Sequence, residues 1–301
     1  MSRFTLSMQA ITPVLTADAF GKVHTLRPSA LLGSLRHWFE IVCRTANTGV
    51  TNPQTTLNCD RFINDVQSVL IQNMHPDIDI MKMKAAAKQL SLPSLIFGCT
   101  GWKSAIQISK IKILKNKKWD GLIADRRFSE CDIRKVHIEF EVHPEIQERI
   151  LFPLLHFIEN YGYIGSKNNI GFGRVRFFGD QYSPSNQTFD FTPWGSKKIS
   201  FSQIVDDKIQ ELNDLYTCKK IGLYKEKDCG RDLKDIFHKL KLLKNEAKSN
   251  VRPDYQLFPW VRLAEEGIYE YGLVSVIFNE RGKDIGKNGV SRGMAEQREK
   301  S

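Results

Sequence analysis

With 301 residues, 41% hydrophobic and 26% charged, the chain has the composition of a globular protein with room for one large core or two smaller ones, which excludes disordered and collagen-like classes. Its 44 Lys and Arg against 34 Asp and Glu leave a net charge of +10, a balance that attracts polyanions without identifying one. Six scattered cysteines (Cys43, Cys59, Cys99, Cys131, Cys218, Cys229) form no Cys-x-x-Cys pair, so they read as reduced, mostly core thiols rather than a disulfide scaffold or zinc module.

Arg3 to Ile11 alternates, with Phe4, Leu6, Met8 and Ala10 on one side, which predicts a half-buried strand. A polar loop follows from Thr12 to Leu26. Pro28 then opens a helix in which Leu31, Leu32, Leu35, Trp38, Phe39 and Val42 recur at three- and four-residue steps. Ala46 to Trp102 is less regular, with an Asn/Thr/Pro stretch near Asn47 to Asn58 and helices predicted around Arg61 to Gln72 and Ile80 to Leu90, and reads as an insertion. Ser104 to Leu114 alternates with a slip near Lys110, and Arg134 to Val142 alternates cleanly, giving two strands joined by a basic loop with Lys115, Lys117, Lys118, Arg126 and Arg127.

Pro144 opens a second helix, Glu145 to Tyr161, which stops at Gly162, and Arg174 to Phe178 reads as a short strand. The chain's longest apolar stretch, Ile150 to Ile158, is broken by Pro153 and His156 and falls well short of the roughly 20 residues of a membrane span. The first eight residues lack the apolar core of a signal peptide, so a cytoplasmic protein is expected. Without the insertion the order is β-α-β-β-α-β, that of the ferredoxin-like α+β fold and of the RNA recognition motif. The expected organisation is a ferredoxin-like domain over 1–180, with the insertion at about 46–102, and a mainly helical region over 181–301. That region has helices predicted near Ser202 to Tyr216 and Asp232 to Lys248, a possible strand from Tyr269 to Phe278 and a mobile tail from Arg281.

Two segments stand out chemically. The first places Gly162, Gly165, Gly171 and Gly173 around Ser166, Lys167, Asn168 and Asn169, with Arg174 and Arg176 following. Glycine leaves backbone N–H groups unobstructed, so they can approach phosphate, while Lys167, Arg174 and Arg176 add charge. The plainer reading is a long turn whose glycines take positive φ. A P-loop or dinucleotide fingerprint does not fit, because the segment runs from helix into strand. The second is Leu26 to Phe39, where Ser29 and Gly33 leave the first turn open for an anion and Arg27 and Arg36 flank it. Trp38 and Phe39 read equally well as core.

Together these segments resemble the RAMP superfamily of CRISPR RNA-binding proteins, and within it the family of first subunits of Cmr-type (type III-B) effector complexes. Ile11 to Asp18, Leu26 to Phe39, Phe97 to Ser104 and Gly162 to Gly173 carry the resemblance, spanning roughly Ile11 to Arg176. Departures are Phe39-Glu40 where that family often has Trp-Arg, and Asn168 and Asn169 where it has an arginine pair.

The resemblance implies a RAMP fold and a non-catalytic subunit that caps one end of a filament of RAMP subunits in antiviral defence. Such a subunit binds guide RNA and helps capture target RNA, with sequence read by base pairing. Its partners are guide RNA, target RNA and neighbouring RAMP subunits; no cofactor and no metal are implied. Lys22, His24 and Lys103 complete the candidate RNA contacts, and Trp38, Trp102, Tyr163 and Phe172 are candidates for stacking on bases. Three other readings stay open. One is a metal-independent ribonuclease with His24 as general base. Another is metal-assisted cleavage through Asp18. The last is a subunit-joining scaffold with incidental charge.

Overall fold

The computed structural model describes residues 1–16, 26–46, 57–72, 77–116, 133–166, 172–182, 187–211, 224–225, 255–265 and 268–277. Its first sheet has four strands in the order β2-β3-β1-β4: β1 (Ser2–Ala10), β2 (Ile106–Asn116), β3 (Ile133–Val142) and β4 (Val175–Phe178). All three pairings are antiparallel. The alternation in β1 buries Phe4, Leu6, Met8 and Ala10, and register sets Phe4 opposite Phe140 and Leu6 opposite Ile138. The slip read near Lys110 is a register shift between Ile108 and Lys110 in the β2–β3 pairing.

Over this apolar face lie α1 (Pro28–Thr45) and the helical stretch from Pro144 to Tyr161. Leu31, Leu35, Trp38, Phe39 and Val42 of α1 share one core with Leu154, Leu155, Phe157 and Ile158. The second helix is not uniform: α5 (Pro144–Ile146) passes through a π turn (Gln147–Leu151) into α6 (Phe152–Tyr161). Pro153 lacks an N–H and its ring crowds the carbonyl four residues back, so a widened turn directly before it relieves that crowding.

Among the described residues, three helices lie between α1 and β2: α2 (Cys59–Gln72), α3 (Ile78–Ala86) and α4 (Leu92–Phe97). The Asp77 carboxylate caps α3 by accepting from the backbone N–H groups of Asp79 and Ile80. Val69, Met81 and Ala85 close a small second cluster between α2 and α3. Sequence periodicity carries α3 on to Leu90, whereas the helix ends at Ala86; α4, a single turn and a half, is absent from that reading.

Beyond β4, a hairpin of β5 (Thr188–Asp190) and β6 (Lys198–Ser200) leads into α7 (Phe201–Lys208). Phe189, Phe191, Trp194, Ile199, Phe201 and Ile204 belong to the same core as β1 and α1, so packing continues past residue 180. The helix expected to reach Tyr216 stops at Lys208, and the chain turns extended in β7 (Ile209–Glu211). All described residues from there on are strand: β8 (Tyr224–Lys225), β9 (Tyr255–Glu265) and β10 (Ile268–Ile277), with β10 pairing β7, β8 and β9. β10 coincides with the strand expected at Tyr269 to Phe278, whereas β9 was not foreseen. The helix expected at Asp232 to Lys248, the tail from Arg281 and most of the basic β2–β3 loop lie outside the described residues. No helix among the described residues is long and apolar enough to cross a membrane.

Candidate nucleic-acid interface

The loop after β1, the first turns of α1 and the glycine-rich segment meet in one place and are stitched together by hydrogen bonds. The N–H groups of Ile11 and Thr12 donate to the Arg174 carbonyl at 2.8 and 3.2 Å, and the Arg174 N–H donates to Thr12 Oγ1 at 2.9 Å. Gly173 N–H donates to the Pro13 carbonyl and Ser166 N–H to the Leu15 carbonyl, both at 2.8 Å. Gly165 N–H donates to Ser34 Oγ at 3.1 Å, which ties the segment to α1.

This stitching explains two glycines. Gly165 and Gly173 have φ of +89° and +88°, and a Cβ on either would lie 2.4 Å from the Leu15 carbonyl oxygen or 2.3 Å from that of Ile164. The expectation that the segment's backbone donors approach phosphate is therefore corrected for Gly165, Ser166 and Gly173: those N–H groups are satisfied inside the protein. Gly162 ends α6, and its added Cβ would meet Ile158 Cα at 2.8 Å.

Beside the stitches opens a cleft of about 420 Å³. Ala30, Gly33, Ser34 and His37 line it from one face of α1, as three- and four-residue spacing requires. Leu15, Thr16, Gly165 and Ser166 form the opposing wall, with Trp38 and Tyr163 behind. A Cβ on Gly33 would meet nothing within 4 Å, so this glycine keeps space open rather than relieving strain. Trp38 Nε1 donates to the Tyr163 carbonyl at 3.0 Å, and burial holds the Tyr163 phenol neutral by raising its pKa. Around His37, desolvation by the surrounding protein lowers the imidazole pKa, Glu40 opposes that and Arg44 reinforces it. No Lys or Arg lines the cleft among the described residues.

Of the sequence-predicted site residues, Gly33, Gly165 and Ser166 come together in this cleft. Arg27 and Ser29 are exposed at the start of α1, and Lys103 is exposed next to the Cys99–Trp102 bridge, away from the cleft lining. Arg36 is engaged within the protein: its Nε donates to Glu40 at 2.9 Å and a terminal nitrogen to the Gly98 carbonyl at 2.8 Å, tying α1 to the end of α4. Arg174 is wholly buried, with no exposed surface to offer a phosphate. Its guanidinium caps α6, donating to the carbonyls of Ile158, Glu159, Asn160 and Gly162, where the helix's unpaired acceptors and dipole favour a cation. Arg176 lies on the opposite face of the sheet from α1.

The aromatic expectations change as well. Trp38, Tyr163 and Phe172 are buried, and Trp102 packs edge-on against Phe62 with its N–H on the Leu95 carbonyl, so none stands free to stack on a base. Asp18, Lys22, His24, Lys167, Asn168, Asn169 and Gly171 lie outside the described residues. Among the described residues no three His, Cys, Asp or Glu side chains gather as a metal site would need. Thr16, Ser34 and His37 are cleft residues that the sequence reading passed over. The spacing of Ala30, Gly33, Ser34 and His37 on one helical face was the available signal.

A four-stranded antiparallel sheet backed by two helices, with a glycine-rich segment sewn to the loop after the first strand, defines an α+β protein with a cleft at that seam. The family model of the RAMP superfamily matches residues 7–176, from β1 through β4, and the chain belongs to that superfamily. Among solved structures, the apo crystal structure of Cmr1 from Pyrococcus furiosus aligns over 93% of this chain and 89% of that one, with 14% identity and a TM-score of 0.49. A chain of a Type IV-B CRISPR complex aligns over 64% of this chain and 97% of its own, with 11% identity and a TM-score of 0.38. A comparison with curated proteins finds no match.

Proposed function

We propose that the chain is an RNA-binding subunit of a type III CRISPR ribonucleoprotein effector, holding guide RNA and helping to capture target RNA at one end of a filament of RAMP subunits. The observation that carries this reading is the cleft, which lies where the two segments that resemble RAMP signatures meet, within the stretch matched by the superfamily model. Its volume falls in the range of small-ligand pockets, and Thr16, Ser34 and Ser166 bring hydroxyls to largely apolar walls. Such a site suits a nucleoside unit held by shape.

The strand order β2-β3-β1-β4 supports reading the first unit as ferredoxin-like. Because the core continues to Ile204, we place that unit's boundary after residue 204 rather than at 180. We further read the chain as binding RNA without cleaving it, in the cytoplasm.

The test mixes the purified chain with labelled single-stranded guide RNA, with and without magnesium, and follows binding and cleavage together. Salt-dependent binding without cleavage is expected. Metal-independent cleavage that disappears in His24→Ala would replace this reading with a processing ribonuclease. Magnesium-dependent cleavage lost in Asp18→Asn would replace it with a target nuclease. Absence of any salt-dependent binding would leave a scaffold.

A further inference from the structure

One face of the first sheet is occupied by α1 and α6, and the other turns outward. Strand register arranges the outward side chains in rows across the sheet. Lys112 lies opposite His137, His137 opposite Ser7, and Ser7 opposite Phe178. One step further along, Lys135 lies opposite Gln9 and Gln9 opposite Arg176. The Ser7 hydroxyl and His137 Nδ1 are hydrogen-bonded at 2.8 Å, and the Arg176 guanidinium sits 5.4 Å from the centre of the Phe178 ring.

Charge is divided along this face. At the far end carboxylates occur: Arg3 pairs with Glu141 at 2.7 Å, and register sets Lys110 opposite Glu139. In the two rows described, no carboxylate occurs, and among the described residues Lys112, Lys135 and Arg176 have no ion-pair partner. Phe178, on the edge strand, leaves 36% of its surface exposed. Cations without an ion-pair partner, interleaved with an exposed aromatic ring, match a polyanion with stacking surfaces. The rows lie at the end where β1 runs into the loop at 11–16 and β4 leaves Arg174, the same seam that borders the cleft.

We infer that this outward face is a second RNA-contacting surface, a platform for single-stranded RNA that continues from the cleft around the end of the sheet. Lys112, Lys135 and Arg176 meet phosphates, and His137 and Phe178 offer faces to splayed bases. The inference rests on the RNA-binding reading and assigns to it residues outside the cleft.

Two variants separate the claims: the triple substitution Lys112→Gln, Lys135→Gln, Arg176→Gln on the platform, and Gly33→Leu in the cleft. Affinity of the full chain for a labelled single-stranded RNA is measured across a salt series, with thermal melts to verify folding. Each neutralised phosphate contact contributes about 0.7 to the log–log salt slope for single strands. The triple variant is therefore expected to lose at least about tenfold in affinity at low salt and to show a slope shallower by about 2. Gly33→Leu is expected to lower affinity with the slope unchanged. A folded triple variant with wild-type affinity and slope, beside a weakened Gly33→Leu, would overturn the platform and leave the RNA reading standing. A wild-type chain that binds no RNA would overturn both. Loss of subunit assembly in the triple variant with RNA affinity intact would assign the face to a protein neighbour and overturn the proposal.

Discussion

Gly33 separates stability from binding. It sits inside α1 with its open side toward the cleft, and an added Cβ would meet no atom within 4 Å. Glycine within a helix costs about 0.8–1 kcal/mol relative to alanine, and nothing here obliges glycine. Gly33→Ala is therefore expected to stabilise the chain by close to that amount, raising Tm by roughly 1–2 °C for a chain of this length. Gly33→Leu keeps most of the helical gain but projects a branched side chain into a cleft of about 420 Å³. If the cleft seats one base, displacing it forfeits about 1–3 kcal/mol, or roughly 5- to 150-fold in affinity. The assay pairs differential scanning calorimetry with fluorescence anisotropy on labelled RNA. A lower Tm in Gly33→Ala would refute the claim that the position is sterically open. Unchanged affinity in a folded Gly33→Leu would refute the cleft as the seat of the ligand.

Gly173→Ala should behave in the opposite way: a positive φ costs an alanine about 1–2 kcal/mol, and displacing the Ile164 carbonyl adds a similar amount, so chemical denaturation should report a loss of about 3 kcal/mol. Arg174→Met removes the donor to four helix-end carbonyls and should cost about 3–5 kcal/mol; Arg174→Lys should recover only part, since a point charge cannot span that set. The folded fraction of either Arg174 variant should keep the wild-type salt slope for RNA, because a buried cap makes no phosphate contact. At Asp77, the hydrogen bond from His143 and the N–H groups of Ile80 and Asp79 hold the carboxyl below the usual carboxylate range. Because the folded value lies below the unfolded one, this stabilisation is complete above about pH 4 and fades as pH falls through the folded value. Urea melts from neutral to acid pH should show that loss in wild type and not in Asp77→Asn, while Asp77→Ala should lose about 1 kcal/mol of capping at neutral pH.

How far the sequence disclosed this molecule depends on how local each signal was. β1, α1 and β3 were legible because each buries one face with an uninterrupted period, and even the slip near Lys110 corresponds to an observed register shift. Helix α4 was missed because six residues hold too little periodicity; its marks are punctuation, with Pro93 in the first turn and Gly98 at φ +85° ending it. Helix α7 was overextended because residues 209–211 take part in strand pairing with β10, more than sixty residues downstream. The glycine-rich segment is legible as unusual, and its plainer reading, a turn whose glycines take positive φ, holds at Gly165 and Gly173. What its N–H groups meet is decided by Pro13 and Leu15, some 150 residues away in sequence. Arg174 carries the same lesson in charge: beside glycines it resembles a phosphate ligand, and only the packed end of α6 makes it a helix cap.

These corrections bear on how the chain would hold RNA. With Arg36 and Arg174 engaged inside the protein and no Lys or Arg lining the cleft among the described residues, the net charge of +10 acts elsewhere. The stitched glycines instead fix the cleft's shape before a ligand arrives, which lowers the ordering cost of binding without supplying attraction. Ser34 couples the parts: its hydroxyl donates to the Ala30 carbonyl and accepts from Gly165 N–H, so a ligand that shifts one wall moves α1 with it. Attraction then falls to cations outside the cleft, of which Lys112, Lys135 and Arg176 on the sheet's outward face are placed along the same seam. On the proposed reading, binding would divide into a salt-insensitive part set by cleft shape and a salt-sensitive part set by the sheet. A chain built this way would lose affinity in both Gly33→Leu and the platform variant, with the salt slope changed only in the latter.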